Sequence, residues 1–189
     1  QGYIPFDNLP RIYNPEREYI ATANQAVVPL EYYDQLAEAL GEDANYLLSY
    51  DWSYGQRGQR INDLLNELAP LSIADYQTIH GDNISVDAQD IMPFLTAVDY
   101  EDETLNDYRD WLGTWDFSSD SDSPQAAFFS IFSVHLLNDL FTDQLPDDVR
   151  PSGHNLYSAG VLMNDPENDW WDHAATGDVT ETRDDILKM

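Results

Sequence analysis

Early in the chain, Asn24 and Arg57 have the residue type and the setting for chemistry. Asn24 follows Tyr19-Ile20-Ala21-Thr22-Ala23, a run with the composition of a short strand. An extended segment presents side chains at its end, and a carboxamide there offers N–H donors to developing negative charge. A turn asparagine that merely caps the run fits the same residues. Arg57 opens a predicted helix, where its charge opposes the helix dipole. In a chain with only 8 Lys+Arg residues, that placement favours a site role, because a guanidinium fork can hold several acceptors rigidly. A plain surface arginine is the alternative, and Arg60 reads as a partner for nearby carboxylates.

Other candidates are weaker. No EF-hand loop is present, and a lone aspartate is no calcium site, since calcium takes about six to eight oxygens. His80, His135, His154 and His173 share no metal-ligand spacing and read as structural. Ser85 lacks a Gly-x-Ser-x-Gly elbow and reads as a helix cap. With no cysteine in the chain, thiolate nucleophiles, disulfides and zinc–thiolate sites are excluded.

The elements that must position these residues follow from pattern. Pro5, Pro10, Pro15 and Pro29 bar a long helix from residues 1–30. Beyond them the apolar spacing turns helical. Leu30, Tyr33, Leu36, Ala37 and Leu40 share one face, with Gly41 as the stop. Further helices are expected over Arg57–Leu68, from a cap at Ser72, and over Ser85–Val98, Glu101–Leu112, residues 125–142, Leu156–Met163 and from Thr180 onward. The helix after Pro124 is apolar all round and is expected to be buried. The expected fold is therefore mainly α with a short extended or β N-terminal segment. It forms a single domain over 1–189, with residues 1–30 extended and bearing the site and 31–189 helical.

Charge restricts the partners. There are 36 acidic residues against 8 basic ones, a net charge of −28 over 189 residues. That field repels phosphate backbones and anionic membrane surfaces, so neither nucleic acid nor membrane is an expected partner. No apolar run approaches the ~20 residues of a membrane span. Cations or salt would relieve the self-repulsion.

Three stretches in order carry a family resemblance. The first holds Tyr3-Ile4-Pro5-Phe6-Asp7-Asn8-Leu9-Pro10, then Tyr13-Asn14-Pro15 and the run from Tyr19 to Asn24. The second is Tyr50-Asp51-Trp52 with Gly55-Gln56-Arg57-Gly58-Gln59-Arg60-Ile61. The third is Asp82, Ser85, Ala88 and Pro93. Trp115-Asp116, Asp122-Ser123-Pro124, Trp170-Trp171-Asp172 and Glu181-Thr182-Arg183-Asp184-Asp185 continue the series. Together they resemble the penicillin amidase family of N-terminal-nucleophile hydrolases, across almost the whole chain. Four positions depart from the family pattern: Glu18 for glycine, Gln56 for tyrosine, Gly58 for alanine and His80 for glutamine.

The resemblance implies an internal part of the β chain of an αββα enzyme. Its nucleophile would be a serine exposed by self-cleavage upstream of Gln1, with the serine's own α-amino group as base. Asn24 would belong to the oxyanion hole and Arg57 would organise the site. No cofactor is implied for catalysis, while a structural calcium near Asp51 is. Partners would be the α chain and the start of the β chain, the substrate a small acyl amide, and the compartment periplasmic or extracellular. Alone, the chain would be inactive. Tyr46, Tyr50, Trp52 and Tyr54 could line an acyl pocket or pack a core, and Trp170-Trp171 is expected to form a docking surface. The rival reading is a non-catalytic acidic helical module that binds cations or a partner chain.

Overall fold

The four early prolines leave the N-terminal segment irregular apart from one 3-10 turn, Phe6–Asn8, in the computed structural model, which describes residues 3–41, 46–48, 52–142, 144–146, 148–149, 151, 155–177 and 179–189. The chain divides into two compact units, Gln1–Ile79 and His80–Met189.

In the first unit, α1 spans Glu31–Leu40 and buries Leu36. It ends at Gly41, whose φ of +98° suits glycine and whose N–H bonds the Ala37 carbonyl at 2.9 Å. Helix α2, Gln56–Glu67, follows Gly55 at φ +106° and buries Gly58, Leu64 and Leu65. Helix α3, Ile73–Gly81, begins in the first unit and ends two residues into the second. Ser72 and Asp75 cap it reciprocally: the Ser72 N–H meets the Asp75 carboxylate at 2.6 Å, and the Asp75 N–H meets Ser72 Oγ at 3.4 Å.

The described residues are mainly helical, as expected, and contain no strand; their only β feature is an isolated antiparallel bridge, Ile84 to Ser118. The strand expected at Tyr19–Ala23 is therefore absent. No extended neighbour offers that run a ladder. Side chains satisfy its backbone instead, with Gln25 taking the Ala23 N–H and the Ala21 carbonyl, and Arg57 the Ala23 carbonyl.

The second unit holds the larger core. Helices α4 (Val86–Leu95), α5 (Glu103–Leu112) and α6 (Pro124–Phe141) start at Ser85, Asp102 and Ser123, each accepting a backbone N–H of its own first turn. Helix α7 is Leu156–Leu162, and α8, Arg183–Ile186, carries a capping box between Thr182 and Asp185. Ile91, Met92 and Leu95 of α4 pack with Leu136, Leu137 and Leu140 of α6, Ala159 of α7 and Met163 just after it. A Cβ at Gly160 of α7 would lie 3.5 Å from Asp90 Cβ of α4, an ordinary van der Waals contact.

Two expectations are corrected here. Helix α6 is not buried all round: Ile131 is 64% and Val134 58% exposed, on the face opposite Leu136 and Leu140. Trp171 is no docking surface. It is fully buried in the core, with its indole N–H on the Asp165 carbonyl at 2.8 Å, while Trp170 packs edge-on against Phe141 at 5.3 Å.

The scarce arginines of this unit act as internal clamps. Arg109 Nη1 reaches the Val98 carbonyl at 3.0 Å and Asp99 at 2.7 Å, while its Nη2 holds Asp110 at 2.8 Å. Arg183 Nη1 bonds the Met163 carbonyl at 2.6 Å, and its guanidinium lies 4.9 Å from the centre of the Phe94 ring. No described helix is long and apolar enough to cross a membrane.

Two stability predictions arise. Glu18 sits at φ +61°, in a turn closed by its N–H on the Pro15 carbonyl at 2.9 Å. The left-handed region strains a side chain by roughly 1–2 kcal/mol, and glycine gives back about half of that through its looser unfolded state. Glu18→Gly should therefore stabilise the chain by about 0.5–1 kcal/mol in urea unfolding. Glu181 is buried, and the His173 N–H at 2.9 Å, helped by the Thr176 hydroxyl, holds its carboxyl below the usual range. A depressed folded pKa adds stability above the unfolded value near 4.5, which is lost as pH falls through the folded value. Glu181→Gln should thus flatten the loss of stability on acidification below about pH 4.5, measured by urea unfolding across pH.

Candidate functional site

Residues 19–25 lie along α2 and touch it at three places. The Tyr19 hydroxyl donates to Asn62 Oδ1 at 3.0 Å. Gln25 sits against Gly58, where an added Cβ would lie 3.3 Å from the Gln25 side-chain carbon Cδ. Between them, Arg57 Nη2 donates to the Ala23 carbonyl at 3.1 Å and to Asn24 Oδ1 at 2.6 Å. Asn62 Nδ2 in turn donates to the Gly58 carbonyl at 2.5 Å, so the residue meeting Tyr19 is braced within α2 itself.

Asn24 is the turning point of the segment. Its φ of +62° is left-handed, a conformation that asparagine tolerates better than most residues. Its backbone carbonyl accepts the Ser53 N–H at 2.8 Å, tying it to the residues that lead into α2. Both oxygens of Asn24 are thus engaged. The arginine can only donate, so the contact at 2.6 Å fixes which end of the side-chain amide is oxygen. Among the described residues the amide nitrogen makes no hydrogen bond.

Asn24 lines a groove of about 950 Å³ within the first unit. Ile12, Ile20, Val27 and Tyr32 contribute apolar wall, while Arg11 and Arg17 add positive charge. Among the described residues no aspartate or glutamate lines the groove, in a chain with 36 of them. Arg57 is not among the lining residues; it holds Asn24 from outside the groove.

The whole chain, residues 1–189, matches the family model for penicillin amidase. The chain belongs to the penicillin amidase family. No curated protein sequence gives a significant match. Membership makes the chain part of a hydrolase family.

The structure brings Asn24 and Arg57 into direct contact. Asp51 lies outside the described residues, as do Tyr50 and His154. Among the described residues no group of three or more His, Cys, Asp or Glu could hold a metal ion. Sequence reasoning missed Gln25, Tyr19 and Asn62. All three are polar residues beside a singled-out position, and only the chain reversal at Asn24 brings Gln25 back onto its own segment.

The left-handed backbone can be tested apart from the side chain. Asn24→Ala should destabilise the chain more than Asn24→Gly, by about 1 kcal/mol, because only glycine accepts this φ freely. Equal urea midpoints for the two variants would contradict that backbone geometry.

Proposed function

We propose that this chain supplies the oxyanion-stabilising part of an enzyme that cleaves linear or β-lactam-linked amides and transfers the acyl group to water. The nucleophile is a serine at a chain terminus created by self-cleavage, carried on a segment outside these residues. Its hydroxyl adds to the amide carbonyl while its α-amino group, with a pKa near ~8, takes the proton. The carbonyl oxygen gains negative charge, and a fixed donor stabilises it. Collapse of the intermediate expels the amine and leaves an acyl ester, which water then hydrolyses.

One observation carries this reading: the Asn24 amide is held by its oxygen, so its nitrogen is left to donate. A donor fixed before the reaction needs no reorganisation as charge develops, and such donors contribute about 2.7–4 kcal/mol in comparable sites. The surroundings suit that role. A groove wall without carboxylates does not repel the oxyanion, and Ile12, Ile20 and Val27 suit an apolar acyl group. Family membership gives the reaction class. By the same reading the working enzyme includes the α chain and the start of the β chain, and acts in the periplasm or outside the cell.

The test uses the full-length processed enzyme. Asn24→Asp keeps the shape of the side chain and an acceptor for Arg57, but removes the N–H donors and adds negative charge. Asn24→Gly keeps the backbone and removes the side chain. Both should lower kcat by about 10²–10³-fold on a chromogenic acyl anilide, with KM little changed. Turnover near the wild-type level in both variants would remove Asn24 from the mechanism.

A further inference from the structure

We infer that Gln25 is a positioning residue for the donor at Asn24, acting as a clip that closes the backbone of residues 21–23 against the first turn of α2. This inference rests on the catalytic reading of Asn24 and extends it by one residue. The Gln25 side chain folds back over its own segment. Its Oε1 accepts the Ala23 N–H at 2.5 Å, and its Nε2 donates to the Ala21 carbonyl at 3.2 Å. One carboxamide thus replaces the ladder bonds that a neighbouring strand would give this run. Gln25 lines the groove beside Asn24, and with both of its amide ends engaged on backbone the role inferred for it is to act through Asn24.

The clip depends on two local conditions. The left-handed φ of Asn24, +62°, turns the chain so that the next side chain returns over residues 21–23. The second is the absence of a side chain at Gly58. This residue is buried, and a Cβ there would lie 3.3 Å from Gln25 Cδ and 3.4 Å from Gln25 Oε1. The first distance is tight for two carbons, so the amide would have to give by a few tenths of an ångström while held by two hydrogen bonds.

Arg57 and Gly58 are adjacent in α2, so a single helical turn presents the guanidinium that orients the Asn24 amide and the bare backbone that receives the Gln25 clip. Ala23 is where the two restraints meet, since its N–H goes to Gln25 and its carbonyl to Arg57. Release of the clip should leave Asn24 bonded to Arg57 on a looser backbone, with its donor no longer fixed relative to the groove. Misplacement by about 1 Å can cost on the order of 100-fold in rate.

The experiment is a kinetic series on the full-length processed enzyme with a chromogenic acyl anilide. Gln25→Met keeps the length of the side chain and removes both hydrogen bonds; Gln25→Glu keeps the acceptor for the Ala23 N–H and loses the donor to the Ala21 carbonyl. Expected kcat falls in the order wild type, Gln25→Glu, Gln25→Met, with the last lowered roughly 10- to 100-fold and KM changed by less than about threefold. Gly58→Ala should also lower kcat, and that loss should largely vanish when it is added to Gln25→Met, because the methyl then has no clip to displace. A purely structural role predicts instead lower melting temperatures with unchanged kcat per folded enzyme, and that result overturns the inference. So do Gly58→Ala and Gln25→Met losses that simply multiply. The two readings fail separately: silent Asn24 variants remove the oxyanion role, whereas costly Asn24 variants beside silent Gln25 variants remove only the clip.

Discussion

One guanidinium nitrogen, Arg57 Nη2, holds the Ala23 carbonyl at 3.1 Å and the Asn24 side-chain oxygen at 2.6 Å, and the candidate site depends on that double contact. The segment it fixes has neither helix nor sheet to satisfy its backbone. A chain in that state must find partners for its N–H and C=O groups among side chains. Helix α2 answers the need because it is rigid and presents Arg57, Gly58 and Asn62 toward one short run of chain. The usual objection to an arginine in a first helical turn, repulsion from the dipole, is offset here by two acceptors, one a full backbone carbonyl.

This arrangement also determines polarity. A carboxamide is symmetric in shape but not in chemistry, and a free asparagine at a loop tip could present either end to the groove. Arginine removes the choice, because it has no acceptor. The result is a donor oriented before any substrate arrives, which is the requirement for electrostatic stabilisation of a transition state. The acidic character of the chain makes the placement of its few arginines informative. Arg57 holds the site, Arg109 and Arg183 clamp backbone carbonyls in the second unit, and Arg11 and Arg17 border the groove.

Much of the helical framework was legible because local signals decide it. Gly41, Ser85, Ser123 and Thr182 each start or stop a helix through a backbone bond or conformation that the residue type supplies, and each does so near the expected position. Tyr19–Ala23 was misread as a strand, since β composition reports a side-chain preference and says nothing about whether a partner exists to form the ladder. The uniform hydrophobicity of α6 likewise suggested burial on every side, and composition alone could not say that Ile131 and Val134 face outward. Within the site, Asn24 and Arg57 stood out by type and setting. Gln25 did not, because its role comes from the left-handed turn before it and from the empty space at Gly58, and neither can be seen without coordinates.

The central claim is geometric: the Asn24 amide nitrogen faces the oxygen on which charge develops. The most direct measurement is a crystal structure of the full-length processed enzyme carrying a boronate or phosphonate mimic of the tetrahedral intermediate. The account predicts Asn24 Nδ2 about 2.7–3.1 Å from the oxyanion-like oxygen, with Oδ1 still bonded to Arg57. A mimic whose oxygen is held by other donors, with Asn24 Nδ2 beyond hydrogen-bond reach, would contradict it.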